Sequence, residues 1–220
     1  MTARKTFLNL DEETRRRIID TAFLEFTMND YKNASLSAII KNLGLAKGSF
    51  YRYFSSKKDL YLYLVEYATN TRYDEIDKLT EQLPEKFENL LKINFLNKIK
   101  YDRNFPLYSG FTYRVMLELN NDELQNISQS VKQKVLERTK KILLLYQSKN
   151  KIRDDIDLDA IAFTIWQTQL GIYEYLSIKH NVNFIQNIAM GKPVFTLGEE
   201  EIMKVVNDFI TIITKGITKN

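Results

Sequence analysis

The sequence predicts an all-α protein, and three observations lead to that prediction. Apolar residues recur at spacings of three and four along most of the chain, which is the period of an amphipathic helix. Only 7 glycines and 3 prolines occur in 220 residues, so few positions interrupt a helix. Helix start and stop signals then divide the chain into about nine helices.

The first four predicted helices follow one another closely. The first spans residues 11–27 and carries acidic residues in its first turn, where the helix dipole favours negative charge. Ser35 can cap a short second helix, and Gly44 can end it with a sharp turn. A third short helix covers residues 47–53. Ser56 can start a long fourth helix, because an acidic capping partner follows three residues later.

Five more helices are predicted beyond the fourth. The stretch 181–198 holds most of the remaining turn residues and is predicted as the loop before the last helix. The five cover residues 85–100, residues 106–119, a long stretch that opens at Asn121 or Asp122, residues 158–179 and residues 199–216.

The composition excludes several classes of protein. It is 44% hydrophobic and 27% charged, as in an ordinary globular protein. No cysteine occurs, which rules out disulfide scaffolds, cysteine zinc sites and thiol nucleophiles. No apolar run approaches the roughly 20 residues that a membrane helix needs, and no signal-peptide pattern opens the sequence. We therefore expect a soluble cytoplasmic protein without a membrane partner.

Positive charge is concentrated in the first quarter of the sequence. Residues 1–60 hold 11 Lys and Arg against 7 Asp and Glu, whereas residues 61–220 hold 21 of each. The net charge of +4 therefore belongs to the first 60 residues. Local positive charge attracts polyanions by releasing their counterions, so this asymmetry favours nucleic acid, with an anionic membrane second.

The second and third predicted helices have the architecture of a helix-turn-helix. Both are short, a glycine turn joins them, and the later one is rich in Lys, Ser, Tyr and Arg. A helix fits the major groove, where Lys47 would supply charge for a phosphate or a guanine, Gly48 would let the backbone approach a base, and Ser49 could bond a base edge. Ser35, which starts the earlier helix, belongs to the same predicted DNA-binding set.

Donors to phosphates are expected beside these residues. Tyr51, Arg52 and Tyr53 offer hydroxyl and guanidinium groups, which position a protein on DNA without reading its sequence. Lys57 and Lys58 begin the fourth helix, where positive charge and free backbone N–H groups suit a phosphate. The alternative for the whole segment is a helical hairpin that serves only as scaffold.

A set of positions between residues 14 and 64 carries a resemblance to a known family. These positions are Ile18-Ile19-Asp20-Thr21-Ala22-Phe23, Tyr31, Ser35, Ile39, Gly44-Leu45, Lys47-Gly48-Ser49-Phe50-Tyr51, Tyr53-Phe54 and Ser56-Lys57-Lys58-Asp59-Leu60. In these positions and their spacing the segment resembles the DNA-binding domain of TetR-family regulators. The resemblance implies a homodimer on palindromic double-stranded operator DNA, usually a repressor that a small ligand releases.

Three positions depart from the family pattern. Asp30 stands where the family usually has Gly, so an Asn or Asp must make that turn. Ala38 replaces an acidic residue, which removes the capping box of the second helix. Ala46 replaces Ser or Thr, which removes the side-chain cap of the third. A lost cap costs on the order of 1 kcal/mol of helix stability.

Aromatic residues are dense in the remainder of the chain, and some could line a ligand cavity between helices. The candidates are Tyr67, Phe111, Trp166 and Tyr173, and for each the alternative is a place in an ordinary core. Arg114 could pair with an anionic effector, or lie at a rim with its charge in water. We expect a small, largely apolar effector whose identity the sequence does not give.

The last two predicted helices resemble the pair that forms the dimer interface of the family. Both are more apolar than one buried face requires, so we expect a homodimer through them, with packing within one chain as the alternative. The sequence thus divides into a helix-turn-helix DNA-binding domain (1–60) and a larger helical domain (61–220) for ligand sensing and dimerisation.

No catalytic, metal or cofactor site is predicted. The acidic run 154–159 lacks the glycine and distal glutamate of a calcium loop, and an acidic helix start explains it better. His180 is the only histidine and has no second metal ligand beside it. The predicted function is a ligand-responsive transcriptional regulator. The alternatives are a DNA-binding assembly protein that senses no ligand and, last, an all-α enzyme.

Overall fold

The computed structural model describes residues 3–78, 83–117 and 124–218. Helices make up the regular structure of these residues, so the predicted all-α class is confirmed. Within these ranges, the only β-type pairing is an isolated antiparallel bridge between Ile152 and Thr218. The helices are α1 (Lys5–Leu8), α2 (Glu12–Met28), α3 (Leu36–Asn42), α4 (Lys47–Tyr51), α5 (Lys57–Lys78), α6 (Phe87–Asn104), α7 (Pro106–Leu117), α8 (Gln125–Ser148), α9 (Leu158–His180), α10 (Phe184–Ala189) and α11 (Glu199–Ile217).

The described residues contain two helices that the sequence does not predict, α1 and α10. They have 4 and 6 residues, too few for an apolar period to be recognised. The prediction of a continuous loop over 181–198 is therefore wrong where α10 lies. The predicted start of the long helix, at Asn121 or Asp122, lies outside the described residues.

The chain forms two compact units. The described part of the first unit falls within Met1–Glu75, Tyr101–Leu124 and Phe184–Val194. The described part of the second falls within Ile76–Lys100, Gln125–Asn183 and Phe195–Asn220. The predicted helix-turn-helix domain belongs to the first unit, which also includes α7 and α10. Its boundary at residue 60 stays a prediction.

Aromatic side chains fill the core of the first unit. Phe23 and Phe26 on α2, Tyr61 on α5 and Phe111 on α7 are all buried. The ring centroid of Phe111 lies 4.9 Å from that of Phe23 and 5.5 Å from that of Tyr61. Aromatic pairs at such distances contribute about 0.5–1.5 kcal/mol beyond their buried area. Helix α2 is the central element of this unit and contacts α3, α7 and α10.

Helix α10 approaches α7 at a glycine. A Cβ built on Gly110 would lie 2.8 Å from Ile188 Cγ1 and 3.1 Å from Thr27 Cγ2. Phe184 and Tyr113 add an edge-to-face contact, with ring centroids 4.5 Å apart. Only glycine fits at residue 110 without a shift of its neighbours, and α10 can therefore lie close to α7 and α2.

Helix α9 is the central element of the second unit and contacts α8 and α11. The Asp157 carboxylate caps it, because it accepts hydrogen bonds from the backbone N–H groups of Asp159 at 2.9 Å and Ala160 at 3.0 Å. The prediction that the acidic run serves as a helix start is confirmed. Within the described ranges, no helix combines the length and the apolar character needed to cross a membrane.

Candidate nucleic-acid interface

Helix α3 begins at a cap that two elements share. The backbone N–H of Ala38 donates to Ser35 Oγ at 3.2 Å, which is the predicted cap. Ala38 cannot return the bond, but the carboxylate of Glu25 on α2 accepts from the backbone N–H of Ser35 at 2.8 Å. Glu25 thus replaces the missing partner of the capping box and ties α3 to α2.

The turn before α3 is built by Asp30. Its carboxylate accepts from the backbone N–H of Asn33 at 2.7 Å and from the Asn33 side-chain amide at 2.8 Å. The backbone hydrogen bond is the main reason that the pKa of Asp30 lies below its usual range. An Asp makes this turn in place of Gly, as predicted. At the other end of α3, Gly44 has φ +66° and lets the chain turn into α4.

Helix α4 is held from beneath by one aromatic anchor. Phe50 is fully buried, and its ring centroid lies 5.8 Å from that of Phe54, which is also fully buried. No side chain caps the start of α4 at Ala46, as the sequence predicts. The helix therefore depends on contacts made by its buried face and by its C-terminal end.

The residues predicted to contact bases precede Phe50 on α4 and are accessible to solvent. Lys47 and Gly48 are exposed, and Ser49 is half-buried. A Cβ added to Gly48 would meet no heavy atom within 4 Å, so the space beside its backbone is open. This stretch of helix offers an ammonium group, a hydroxyl and bare backbone to a nucleic acid, which suits readout in the major groove.

Most of the predicted phosphate contacts are exposed as well. Tyr51 is 39% exposed, and Arg52 and Lys58 are exposed. The guanidinium Nη2 of Arg52 donates to Ser49 Oγ at 3.3 Å, so the two side chains lie together. Tyr53 is half-buried. Ser35 is exposed in addition to capping α3.

Lys57 differs from the other predicted phosphate contacts. Its ammonium donates to the carbonyl oxygens of Tyr31 at 2.7 Å, Ala34 at 3.2 Å and Lys32 at 3.3 Å. The ammonium nitrogen also lies 4.7 Å from the centroid of the Tyr31 ring. An ammonium has three N–H donors, and these three bonds use them all. We therefore reassign Lys57 from phosphate contact to support of the turn before α3.

Sequence reasoning missed the residues that hold the C-terminal end of α4. Arg4 Nη1 donates to the carbonyl of Tyr51 at 3.1 Å, and the Thr6 hydroxyl donates to the carbonyl of Arg52. Phe7 is fully buried, with its ring centroid 4.8 Å from that of Phe54. No local pattern signals these contacts, since they join residues more than 40 positions apart.

Three of the predicted effector residues belong to the first unit. Phe111 is fully buried in the aromatic core. Tyr67 is half-buried, and its ring centroid lies 6.1 Å from that of Phe23. Arg114 donates from Nε and Nη2 to the carbonyl of Thr27, at 3.2 and 3.1 Å, and from Nη2 to that of Met28 at 3.4 Å. The guanidinium of Arg114 thus satisfies carbonyls at the end of α2.

The other two effector candidates belong to the second unit. Trp166 is 6% and Tyr173 is 5% exposed. The Tyr173 ring centroid lies 5.2 Å from that of Phe195 and 3.8 Å from the ammonium nitrogen of Lys98. Tyr173 therefore combines an apolar surrounding with a positive charge over its face.

Helices α9 and α11, the predicted dimer pair, carry large apolar side chains that this chain does not cover. Phe163 and Tyr175 on α9 are 46% and 41% exposed. Ile178 on α9 and Ile212 on α11 are 76% and 70% exposed. These four large apolar side chains lie on two helices that contact each other.

Comparisons with known proteins agree with this architecture. Residues 18–64 match the family model for bacterial regulatory proteins of the tetR family. An HTH-type transcriptional regulator of Staphylococcus aureus (strain bovine RF122 / ET3-1) is 23% identical over 183 residues, which cover 81% of this chain and 93% of that protein.

Solved structures extend the similarity to the whole fold. A TetR family transcriptional regulator from Chloroflexus aurantiacus J-10-FL has a TM-score of 0.76 at 25% identity, with 100% of both chains covered. A complex of SmeT with triclosan has a TM-score of 0.69 at 17% identity, with 95% of this chain and 93% of that chain covered. The predicted arrangement, a helix-turn-helix domain followed by a larger helical domain, is confirmed.

Proposed function

The chain is a transcriptional regulator of the TetR family, and from that premise we propose that it is a ligand-responsive repressor. It binds palindromic operator DNA as a homodimer in the cytoplasm, and a small, largely apolar effector releases it. It catalyses no reaction and needs no cofactor.

The accessible surface of α4 is the observation that carries the DNA-binding part of the proposal. Phe50 fixes the helix from below, which leaves Lys47, Gly48 and Ser49 free to enter the major groove. Lys47 donates to a guanine edge or a phosphate, and Ser49 bonds a base edge. Gly48 allows the backbone to approach the bases. These contacts supply sequence preference.

Phosphate contacts surround this reading surface. Tyr51, Arg52 and Lys58 donate to the backbone of the duplex, and Tyr53 and Ser35 lie at the edge of the same surface. Their contribution is electrostatic and independent of sequence, and it falls as the salt concentration rises.

The uncovered apolar residues on α9 and α11 support a homodimer. Burying Phe163, Tyr175, Ile178 and Ile212 against a second copy would remove them from water. A two-fold dimer also supplies two copies of α4, one for each half of a palindromic operator.

A small-molecule effector is supported by the aromatic content of both units and by SmeT, a protein of the same fold that binds triclosan. One observation favours the alternative, a DNA-binding protein whose helical domain only dimerises. Phe111 is fully buried and Arg114 is bonded to carbonyls of α2, so two of the five candidates already have structural roles.

Fluorescence anisotropy with labelled duplex DNA from just upstream of the gene tests the proposal. Tight binding that survives random competitor DNA and weakens with salt is expected. The same complex then serves to screen apolar compounds for release of the DNA. Equally weak binding to every duplex, including duplexes selected from a random library, would contradict the proposal that the protein is a sequence-specific regulator. If no compound releases the DNA, the alternative of a DNA-binding protein that only dimerises is favoured.

A further inference from the structure

Three successive backbone carbonyls at the C-terminal end of α4 accept hydrogen bonds from one distant segment. The carbonyl of Tyr51 accepts from Arg4 Nη1 at 3.1 Å, and that of Arg52 accepts from the Thr6 hydroxyl. The carbonyl of Tyr53 accepts from the backbone N–H of Arg4 at 3.1 Å. A further bond, from Arg4 Nη2 to Ser55 Oγ at 2.8 Å, fixes the guanidinium.

The end of α4 needs such partners. The last carbonyls of a helix have no partner within it, and α4 has only 5 residues and no side-chain cap at its start. A helix of this length is unstable by itself, because nucleation costs more than the few bonds return. A guanidinium at the C-terminal end also faces the negative pole of the helix dipole.

The donor segment is itself firmly held. Phe7 is fully buried, and its ring centroid lies 4.8 Å from that of Phe54 and 5.2 Å from that of Tyr63 on α5. Arg15 on α2 donates from Nη1 to the carbonyl of Leu8 at 3.1 Å. The segment is therefore anchored to α5 through Phe7 and to α2 through Leu8, and it can hold α4 against both.

We propose that Arg4, Thr6 and Phe7 form a clamp that sets the position of α4 on DNA, with Arg4 as its positioning residue. Arg4 acts through the backbone carbonyls of Tyr51 and Tyr53, whose side chains are assigned to phosphates, and it needs no phosphate contact of its own. The inference rests on the proposed function for its effect on DNA, but the clamp itself can be measured without DNA.

The DNA arm compares Arg4→Ala, Arg4→Lys and Thr6→Val with the wild-type protein, on a duplex that the wild-type protein selects from a random library. Lys5→Ala is the matched control, since it removes the same charge from the exposed neighbouring residue. We expect about tenfold weaker binding for Arg4→Ala, the size of one lost charge-assisted hydrogen bond, with an unchanged salt slope. Arg4→Lys should not restore binding, because an ammonium cannot span the same acceptors.

The second arm follows hydrogen exchange in the free protein. The amides of Tyr53 and Phe54 donate to the carbonyl of Phe50 at 2.8 and 3.1 Å, and they report on the end of α4. Their exchange should be faster by about tenfold in both Arg4 variants and unchanged in Lys5→Ala.

Unchanged exchange in both Arg4 variants would overturn the clamp. Wild-type DNA affinity in Arg4→Lys would also overturn the clamp, because only the positive charge of Arg4 would then matter. A smaller salt dependence of DNA binding in Arg4→Ala would overturn it too, because Arg4 would then contact a phosphate. If the wild-type protein selects no duplex, the proposed function fails instead, and the exchange arm still decides whether the clamp exists.

Discussion

The carboxylate of Glu25 accepts a hydrogen bond from the backbone N–H of Ser35 at 2.8 Å, so a residue of α2 caps α3. A cap of this kind contributes about 0.5–2 kcal/mol to the free energy of unfolding. Glu25→Ala should therefore lower the unfolding free energy by about 1 kcal/mol in urea denaturation. Glu66→Ala, at an exposed position inside α5, should change it far less. An equal decrease in unfolding free energy in the two variants would contradict the capping role of Glu25.

Lys47→Ala and Tyr51→Ala should weaken operator binding several-fold without altering the fold. Lys47 is proposed to donate to a guanine edge or a phosphate, and a base contact is worth about 1–3 kcal/mol, whereas Tyr51 is proposed to bond a phosphate. The effect of Tyr51→Ala should thus be similar on operator and random DNA. Anisotropy titrations on both duplexes measure this, with Lys100→Ala as a control. Wild-type affinity in both variants would contradict the assignment of α4.

Lys57 and Lys58 are adjacent lysines with different expected roles. Lys57→Met removes the donor to three carbonyls and should lower the unfolding free energy by about 1–2 kcal/mol, with little change in the salt slope of DNA binding. Lys58→Met should leave stability unchanged and reduce the salt slope by about 1 per protomer. Denaturation and salt titrations on both variants check the contrast. A reversed pattern would return Lys57 to the phosphate contacts.

Gly110→Ala should destabilise the protein although alanine favours helices. The gain in helix propensity is about 1 kcal/mol, but overpacking against Ile188 and Thr27 costs about 1–3 kcal/mol. Both neighbours are buried and β-branched, so they cannot easily move. In urea denaturation, Gly110→Ala should lower the unfolding free energy less in an Ile188→Ala background than in the wild-type protein. Gly216→Ala, which meets no atom within 4 Å, should not destabilise.

Ile178→Glu and Ile212→Glu should weaken the homodimer. These residues are 76% and 70% exposed, so a charge there is tolerated by one chain but is buried unpaired in a dimer. Sedimentation equilibrium should show a dimer dissociation constant raised by at least about tenfold. Leu24→Glu, on exposed α2 surface, is the control. Dimers of unchanged strength in both variants would place the interface elsewhere.

Local features of the interface could be predicted because each depends on neighbouring residues. The Ser56 hydroxyl accepts from the backbone N–H of Asp59 at 3.1 Å, Gly44 makes the left-handed turn, and Ala46 leaves α4 uncapped, all as the sequence indicates. Spacing along the chain is enough to identify such caps and turns.

Features that join distant parts of the chain could not be predicted in this way. The bond between Arg4 and the Tyr51 carbonyl spans 47 positions. From sequence alone, a lysine at a helix start such as Lys57 is predicted to bind a phosphate. Only the structure shows that its ammonium donates to three backbone carbonyls. Helix α10 is too short to have a period, and it is stabilised by its packing on α7 and α2.

The open space beside Gly48 has a consequence for how this protein can diverge. A Cβ introduced there meets no heavy atom within 4 Å, and the backbone conformation does not require glycine. Under the proposed role of Gly48 in DNA binding, a replacement at this position should change which duplexes are accepted while folding is left intact. Operator preference and structural stability should therefore be separable at residue 48.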